Sequence, residues 1–340
     1  MSDHIPFEIQ SEIMNTLPVK SLLRFRSICK QWKSLIDSSD FIAHLSSQQQ
    51  QQHLLVSYYD NDYEQKYVSI VDDHTFPQQK VFLTVPQFSW LGVVVPAVSN
   101  MMFETTLGFG VCRKTRDPKI VKIKYISWLS SVDINATYIP SQVEVFTLST
   151  GAWRSPFGSN LPRKSIWFHD FHPFEEVVID GVLYWLAIDR NTMTGRIKLI
   201  VSFDMTSEEF REITLPGDLS DANSHIMSYL GNSLVVCKDV AQDINGDLCI
   251  WMMRGGVSNS FTKLFSITLN GHARLRGFRK SGEPIIAIQG KCGPGRLAVY
   301  EPYSKRIDYL GIDGSLYSLE VYPYMETLFL LDQPDNKVYR

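Results

Sequence analysis

Few residues able to do chemistry stand at chemical spacing in this chain. His169-Asp170-Phe171-His172 sets two imidazoles three residues apart with a carboxylate between them, a partial ligand set for zinc. No further His or Cys lies near in sequence and Pro173 follows directly, so a surface loop with packed aromatics is preferred. Asp243-Ile244-Asn245-Gly246-Asp247 has the acidic spacing of a calcium loop. Met252 and Met253 stand where the bidentate Glu belongs, so an Asn-Gly hairpin is preferred there. The stretch Gly290-Lys291-Cys292-Gly293-Pro294-Gly295-Arg296 does not match a P-loop, and Gly108-Phe109-Gly110 lacks the third glycine of a dinucleotide site. Both read as turns. Asp60-Asn61-Asp62-Tyr63-Glu64 reads as a solvated acidic turn, and no GxSxG elbow is present. These patterns predict no catalytic residue, no metal and no organic cofactor.

Two basic stretches could bind an acidic or phosphorylated segment. In residues 113–124 (RKTRDPKIVKIK), Lys122 and Lys124 alternate with Val121, Ile123 and Tyr125, so a strand there has one basic face. Residues 272–280 (HARLRGFRK) add Arg274, Arg276 and Arg279 beside Phe278. A solvated strand face and loop is the preferred reading of both. The three arginines are kept as candidates for a binding face built from inter-strand loops.

The elements that must position such groups begin with residues 6–45. Ile9 and Ile13 sit four apart and share a helix face, with Leu17 a turn further on. Pro6 suits a first helical turn and Pro18 ends the helix at Leu17. A second helix is predicted to carry Leu22, Leu23 and Phe25, and a third Ile28, Trp32, Leu35 and Ile36. Asp40 opens a fourth turn as its N-cap. A segment this small is near the lower limit for a core of its own. It either packs on the rest of the chain or completes its core against a partner.

The same segment resembles an F-box in the form common in plants. The resemblance lies in Ile5-Pro6, Ile13, Leu17-Pro18-Val19-Lys20-Ser21-Leu22, Arg24-Phe25-Arg26, Ile28-Cys29-Lys30-Gln31-Trp32, Leu35-Ile36 and Asp40-Phe41. Ile5 departs mildly from the leucine usual before the proline. The resemblance implies docking onto a Skp-type adaptor, itself seated on a cullin. It places Pro6, Ile13, Leu17, Pro18, Leu22, Phe25, Ile28 and Trp32 at or just behind that interface.

Composition sets the outer bounds. The 340 residues are 44% hydrophobic and 20% charged, with a net charge of −3. That suits a globular protein of two domains and gives no reason to expect nucleic acid or a membrane as partner. No apolar run is long enough to span a bilayer, and residues 1–10 (MSDHIPFEIQ) lack the form of a signal peptide. Five scattered cysteines, none in a CxxC pair, fit a reduced intracellular compartment, cytoplasmic or nuclear. The SSQQQQQ stretch at residues 46–52 is the predicted linker between a domain at 1–45 and one at 53–340.

From residue 53 onward the texture is that of strands. Segments starting near 143, 200, 248 and 297 each hold an alternating strand, a polar turn and a second short strand. Apolar strand sequence precedes them at 177–188, 233–237 and 284–289. Such a recurrence suits four-stranded propeller blades better than a β-sandwich. Asp180-Gly181, Asn245-Gly246 and Gly231-Asn232 supply hairpin turns. The fold class expected is therefore α+β multidomain: an all-α module followed by an all-β propeller-like domain.

Leu107-Gly108-Phe109-Gly110-Val111, residues 117–123, Val143-Glu144-Val145-Phe146 with Trp153-Arg154, and Asp180-Gly181-Val182-Leu183-Tyr184-Trp185-Leu186 carry a second resemblance. So do Ser202-Phe203-Asp204, Leu215-Pro216 and Ile250-Trp251-Met252-Met253. They are similar to the F-box-associated propeller domain of plant F-box proteins. Together the two resemblances imply a non-catalytic substrate receptor of a Skp–cullin–F-box ubiquitin ligase, holding an unnamed target protein. An adaptor-binding scaffold or decoy, or a propeller enzyme with a helical appendage, are the alternatives. Elements the family carries before Leu107 are not recognisable in residues 81–106. An incomplete early blade over residues 54–106 is therefore expected, with Phe88, Trp90 and Val93 to Val95 partly exposed.

Overall fold

The computed structural model describes residues 5–48, 52–60, 62–83, 101–129, 141–168, 176–190, 197–220, 225–238, 247–254, 260–269, 271–290, 293–326 and 328. The chain divides into two compact units, one of residues 1–56, 67–83 and 321–340, the other of 57–66 and 84–320. His169, His172, Asn245, Cys292, Phe88, Trp90 and Val93 to Val95 lie outside the described residues. So do the side chains of residues 46–51.

In the first unit, four helices follow one another: α1 (Phe7–Asn15), α2 (Val19–Phe25), α3 (Lys30–Ile36) and α4 (Ser39–Gln48). Pro6 and Pro18 both stand at N-cap positions with extended ψ, where a missing N–H costs nothing. Cys29 caps α3, its sulfur accepting from the Trp32 N–H. Helix α4 starts two residues earlier than an Asp40 cap would have it. Ser38, not Asp40, caps it, its hydroxyl accepting from the Phe41 N–H at 3.3 Å. Met14, Val19, Leu22, Ile36, Phe41, Ile42 and Leu45 form the core, joined by Leu328 from far along the chain. Leu328 is 2% exposed. The helices thus complete their core partly from within the chain.

Strands β1 (His53–Tyr59), β2 (Gln65–Val71) and β3 (Lys80–Leu83) follow, and the last strand, β21 (Glu320–Tyr324), pairs beside β1 in the order β21-β1-β2-β3. The Ser69 and Tyr324 hydroxyls lie 2.8 Å apart in a hydrogen bond. The sheet expected to be short therefore has four strands. Local sequence could not reveal this, because one strand comes from the other end of the domain. Its outermost strand is short, and Phe82 there is 72% exposed.

Among the described residues, the second unit carries four further antiparallel sheets. The first is β4 (Met101–Val111), β5 (Pro118–Leu129), β6 (Gln142–Thr147) and β7 (Ala152–Arg154). The next is β8 (Ile166–Trp167), β9 (Val177–Ile179), β10 (Val182–Asp189), β11 (Ile197–Asp204) and β12 (Phe210–Thr214), followed by the short helix α5 (Gly217–Ser220). Then come β13 (His225–Leu230), β14 (Ser233–Lys238), β15 (Asp247–Arg254) and β16 (Ser260–Thr268). The last set is β17 (His272–Phe278), β18 (Pro284–Gln289), β19 (Gly295–Glu301) and β20 (Arg306–Gly314). Successive sheets share cores. Val121, Ile123 and Val145 meet Leu183, Trp185 and Phe203; Ile179, Leu186 and Ile200 meet Met227 and Val236; Val235 and Ile250 meet Ala273 and Ile286. Sheets stacked face to face in chain order are the pattern of propeller blades, and the fold class is as the sequence predicted.

The recurring segments near 143, 200, 248 and 297 are β6, β11, β15 and β19, the third strand of each sheet. The turns after β6, β11 and β19 share a geometry. The residue four past the strand's last hydrogen-bonded position is left-handed at Gly151 (φ 60°), Glu208 (φ 59°) and Lys305 (φ 57°). Asp180 (φ 45°) and Gly181 (φ 69°) both take positive φ, as a two-residue turn joining β9 to β10 requires.

One turn expectation is corrected. Gly108-Phe109-Gly110 lies inside strand β4, paired with Val121, Ile120 and Lys119 of β5. The glycines serve close approach between sheets. A Cβ on Gly108 would lie 2.5 Å from Trp185 Cζ2 and 2.7 Å from Leu183 Cδ1. As expected, Val121, Ile123 and Tyr125 of β5 are buried while Lys122 and Lys124 face outward. Lys122 pairs with Glu144 and lies over the Trp153 ring.

Candidate functional site

The four-helix segment buries one set of apolar side chains and exposes another. Alternation at helical spacing explains the split: Met14 points into the core, whereas Ile9 and Ile13, one turn apart, are 45% and 48% exposed. Ile28, in the turn before α3, is 61% exposed, and Ile5 and Leu23 are exposed too. Charged side chains are usual at such positions; large aliphatics there form an apolar surface without a cover among the described residues.

Of the residues singled out from sequence, Pro6, Ile13, Pro18 and Ile28 are exposed, Leu17, Phe25 and Trp32 are half-buried, and Leu22 is fully buried. The Phe25 and Trp32 rings pack at 5.4 Å and 57°, joining α2 to α3. Arg26 and Asp37 form a two-pronged ion pair that ties the end of α2 to the end of α3. Ile5, Ile9 and Leu23 were not singled out as contact residues. Ile9 carried a signal in its four-residue spacing from Ile13.

Two of the three candidate arginines fall elsewhere than on loops. Arg274 and Arg276 lie within β17 and both are buried. Arg274 sits 5.3 Å from the Tyr317 ring, and Arg276 donates to Glu320 at 2.8 Å and to the Leu316 carbonyl at 2.6 Å. Burial pushes the Glu320 carboxyl up, and the two guanidinium charges oppose that rise. These arginines secure β17 to the segment leading into β21. Arg279, in the turn after β17, is half-buried beside Glu283 at 3.6 Å.

A buried ionic cluster escaped the sequence reading. Glu208, fully buried, receives Lys119 from β5, Arg154 from β7 and the Phe157 N–H. It fastens the β8–β12 sheet to the β4–β7 sheet. With a partner on each oxygen it is a structural clasp. Among the described residues no group of three or more His, Cys, Asp or Glu is gathered to hold a metal ion. Cys29, Cys112, Cys237 and Cys249 are free thiols. No helix among the described residues is long and apolar enough to cross a membrane.

Residues 118–328, more than half of the chain, match the family described as the F-box associated beta propeller domain. The chain belongs to that family. Residues 2–44 match the F-box domain, so the exposed apolar surface described above is the surface of an F-box. The relatives are F-box proteins of Arabidopsis thaliana. A putative F-box protein is 28% identical, covering 72% of this chain and 69% of its own. An F-box/LRR-repeat protein is 21% identical over 94% of this chain and 81% of its own. A third F-box protein is 24% identical over 78% and 73%. A solved structure, dihydro-heme d1 dehydrogenase NirN in complex with DHE, gives a TM-score of 0.27 at 12% identity. It covers 80% of this chain and 56% of that one, and a likeness so low carries no argument.

Proposed function

We propose that this chain is the substrate-recognition subunit of a Skp–cullin–F-box ubiquitin ligase. The observation that carries the reading is an F-box whose Ile9, Ile13 and Ile28 stand exposed over a well-packed core. Burying such side chains stabilises a complex by about 25 cal/mol per Å² before the cost of association, so the apolar face is the natural docking surface for a Skp-type adaptor. The adaptor brings a cullin, and the β domain brings the target. The chain supplies proximity and no reacting group: holding a target near a charged conjugating enzyme raises its effective concentration. Target capture falls to loops at the ends of rigid sheets, the usual place for variable contacts. With Arg274 and Arg276 buried inside β17, the proposal keeps Arg279, in the turn after β17, as its candidate for such a contact. A cullin-based assembly works inside the cell, in cytoplasm or nucleus, and that compartment is part of the proposal.

The test is reconstitution. The full chain, mixed with a purified Skp-type adaptor and cullin, should elute as a ternary complex. An Ile9→Asp, Ile13→Asp variant should elute alone while its far-UV spectrum stays unchanged. A wild-type chain that never joins the adaptor overturns the reading.

A further inference from the structure

The side-chain amide of Gln10, on α1, is held at both ends. Its Nε2 donates to the carbonyl oxygen of Ile5 at 2.7 Å, and its Oε1 accepts from the indole Nε1–H of Trp32 at 2.8 Å. A backbone carbonyl can only accept and an indole N–H can only donate. The two partners therefore dictate which way the amide points. Few side chains of this reach satisfy both. A glutamate offers acceptors alone and would set a carboxylate against the Ile5 carbonyl. A lysine offers donors alone, and a methionine offers neither.

The bridge joins three parts of the F-box. Ile5 belongs to the segment leading into α1 and is 53% exposed. Trp32 belongs to α3 and packs on Phe25 of α2. Gln10 lies one residue from Ile9, on the helix that also exposes Ile13. One amide thus fixes how the leading segment and the α3 tryptophan stand relative to the apolar side of α1.

We propose that Gln10 is a positioning residue for adaptor docking, fixing Ile5 and Trp32 in the arrangement the adaptor meets. The proposal rests on the docking reading above. Its physical basis is a difference between two environments. In the free chain the bridge is partly exposed, and water can replace either hydrogen bond at little net cost. In a docked complex water is excluded, so an amide or indole left without its partner carries its full desolvation penalty. Removing the bridge should therefore weaken binding far more than folding.

The experiment uses the full chain and a purified Skp-type adaptor, with Kd from calorimetry and unfolding midpoints from urea titration. Gln10→Met, nearly the same shape without hydrogen bonds, should weaken adaptor binding about fivefold to tenfold, the loss of one or two hydrogen bonds' net worth. Its unfolding midpoint should stay close to wild type. Gln10→Glu, which keeps the acceptor for Trp32 but sets a carboxylate against the Ile5 carbonyl, should weaken binding at least as much. The Trp32 indole proton, assigned by its absence in Trp32→Phe, should shift in Gln10→Met and much less in Gln10→Glu. In a Trp32→Phe background, Gln10→Met should cost less than in wild type, because half of the bridge is already gone. A Gln10→Met chain that binds like wild type, or that loses the same factor in both backgrounds, overturns the role of Gln10 alone. A wild-type chain that does not bind overturns the docking reading and this proposal with it.

Discussion

Arg154 grips Glu208 with two hydrogen bonds of 2.6 Å, one to each carboxylate oxygen. Lys119 adds a third at 2.8 Å, and the carboxylate itself is fully buried. Glu208 also sits at φ 59°, a backbone region that costs a side-chain-bearing residue about 1–2 kcal/mol. The cluster outweighs that cost and locks two neighbouring sheets together.

Acid should loosen this clasp. Burial alone would raise the Glu208 carboxyl, but hydrogen bonds from Arg154, Lys119 and the Phe157 N–H override it and hold the pKa down at about 2. A carboxyl depressed on folding contributes stability above its unfolded value and loses it as pH falls toward the folded one. The window is therefore roughly pH 4.5 down to 2, and the contribution about 2–3 kcal/mol. Glu208→Gln should be destabilised by that order at pH 7 and should lose less further stability than wild type on acidification. Parallel urea titrations at pH 7 and pH 3 check this; equal losses in both proteins would refute it.

Gly108→Ala should disturb the contact between the β4–β7 and β8–β12 sheets. Its new methyl would meet the ring of Trp185 and the body of Leu183, both in a packed core. A cost of about 1–3 kcal/mol follows from overpacking. Gly110→Ala makes a useful contrast, since its Cβ would approach the flexible end of Met205 at 2.9 Å. Thermal melts should rank wild type, Gly110→Ala and Gly108→Ala in that order. A reversed order would mean that the sheets slide apart without cost.

Leu328→Ala should weaken the F-box although it lies far from it in sequence. Its side chain is fully enclosed by the helical core, and truncation there costs about 2–4 kcal/mol. Proteolysis should then cut α1 to α4 sooner while the β-sheet unit stays resistant. A cleavage pattern like that of wild type would show that the helices hold their core without it.

Leu22→Ala and Ile13→Ser separate core from surface in the same segment. Leu22 is fully buried, so its truncation should lower stability by about 2–5 kcal/mol and lose adaptor binding only through misfolding. Ile13→Ser should leave the melt within about 0.5 kcal/mol while weakening adaptor binding tenfold or more. A large loss of stability from Ile13→Ser would mean that its exposed side chain is structural.

Much of this organisation was legible in the chain. Spacing of Ile9, Ile13 and Leu17, the two prolines and Trp32 located the helices, because local periodicity and helix-ending signals act over a few residues. The strand–turn–strand recurrence located the third and fourth strands of the sheets for the same reason. Features that depend on distant pairing were not legible. Residues 320–324 complete the sheet of residues 53–83, Leu328 enters the helical core, and Glu208 finds Lys119 and Arg154. Arg274 and Arg276 were drawn to the surface by their charge, whereas Tyr317 and Glu320, which they meet, lie many residues away. The paired glycines of β4 read as a turn because their reason for being small, Trp185 and Leu183, sits on another sheet.

The place of Leu328 in the helical core bears on how the protein is made. Synthesis runs from the N-terminus, so the F-box helices leave the ribosome before all of the β-sheets and wait for those sheets to be made before Leu328 arrives. A product halted early by a premature stop would carry the exposed Ile9, Ile13 and Ile28 yet lack the residue that steadies the core beneath them. Such fragments would compete poorly for the adaptor. A chain that runs through Leu328 would hold its F-box helices more firmly than one that stops short of it.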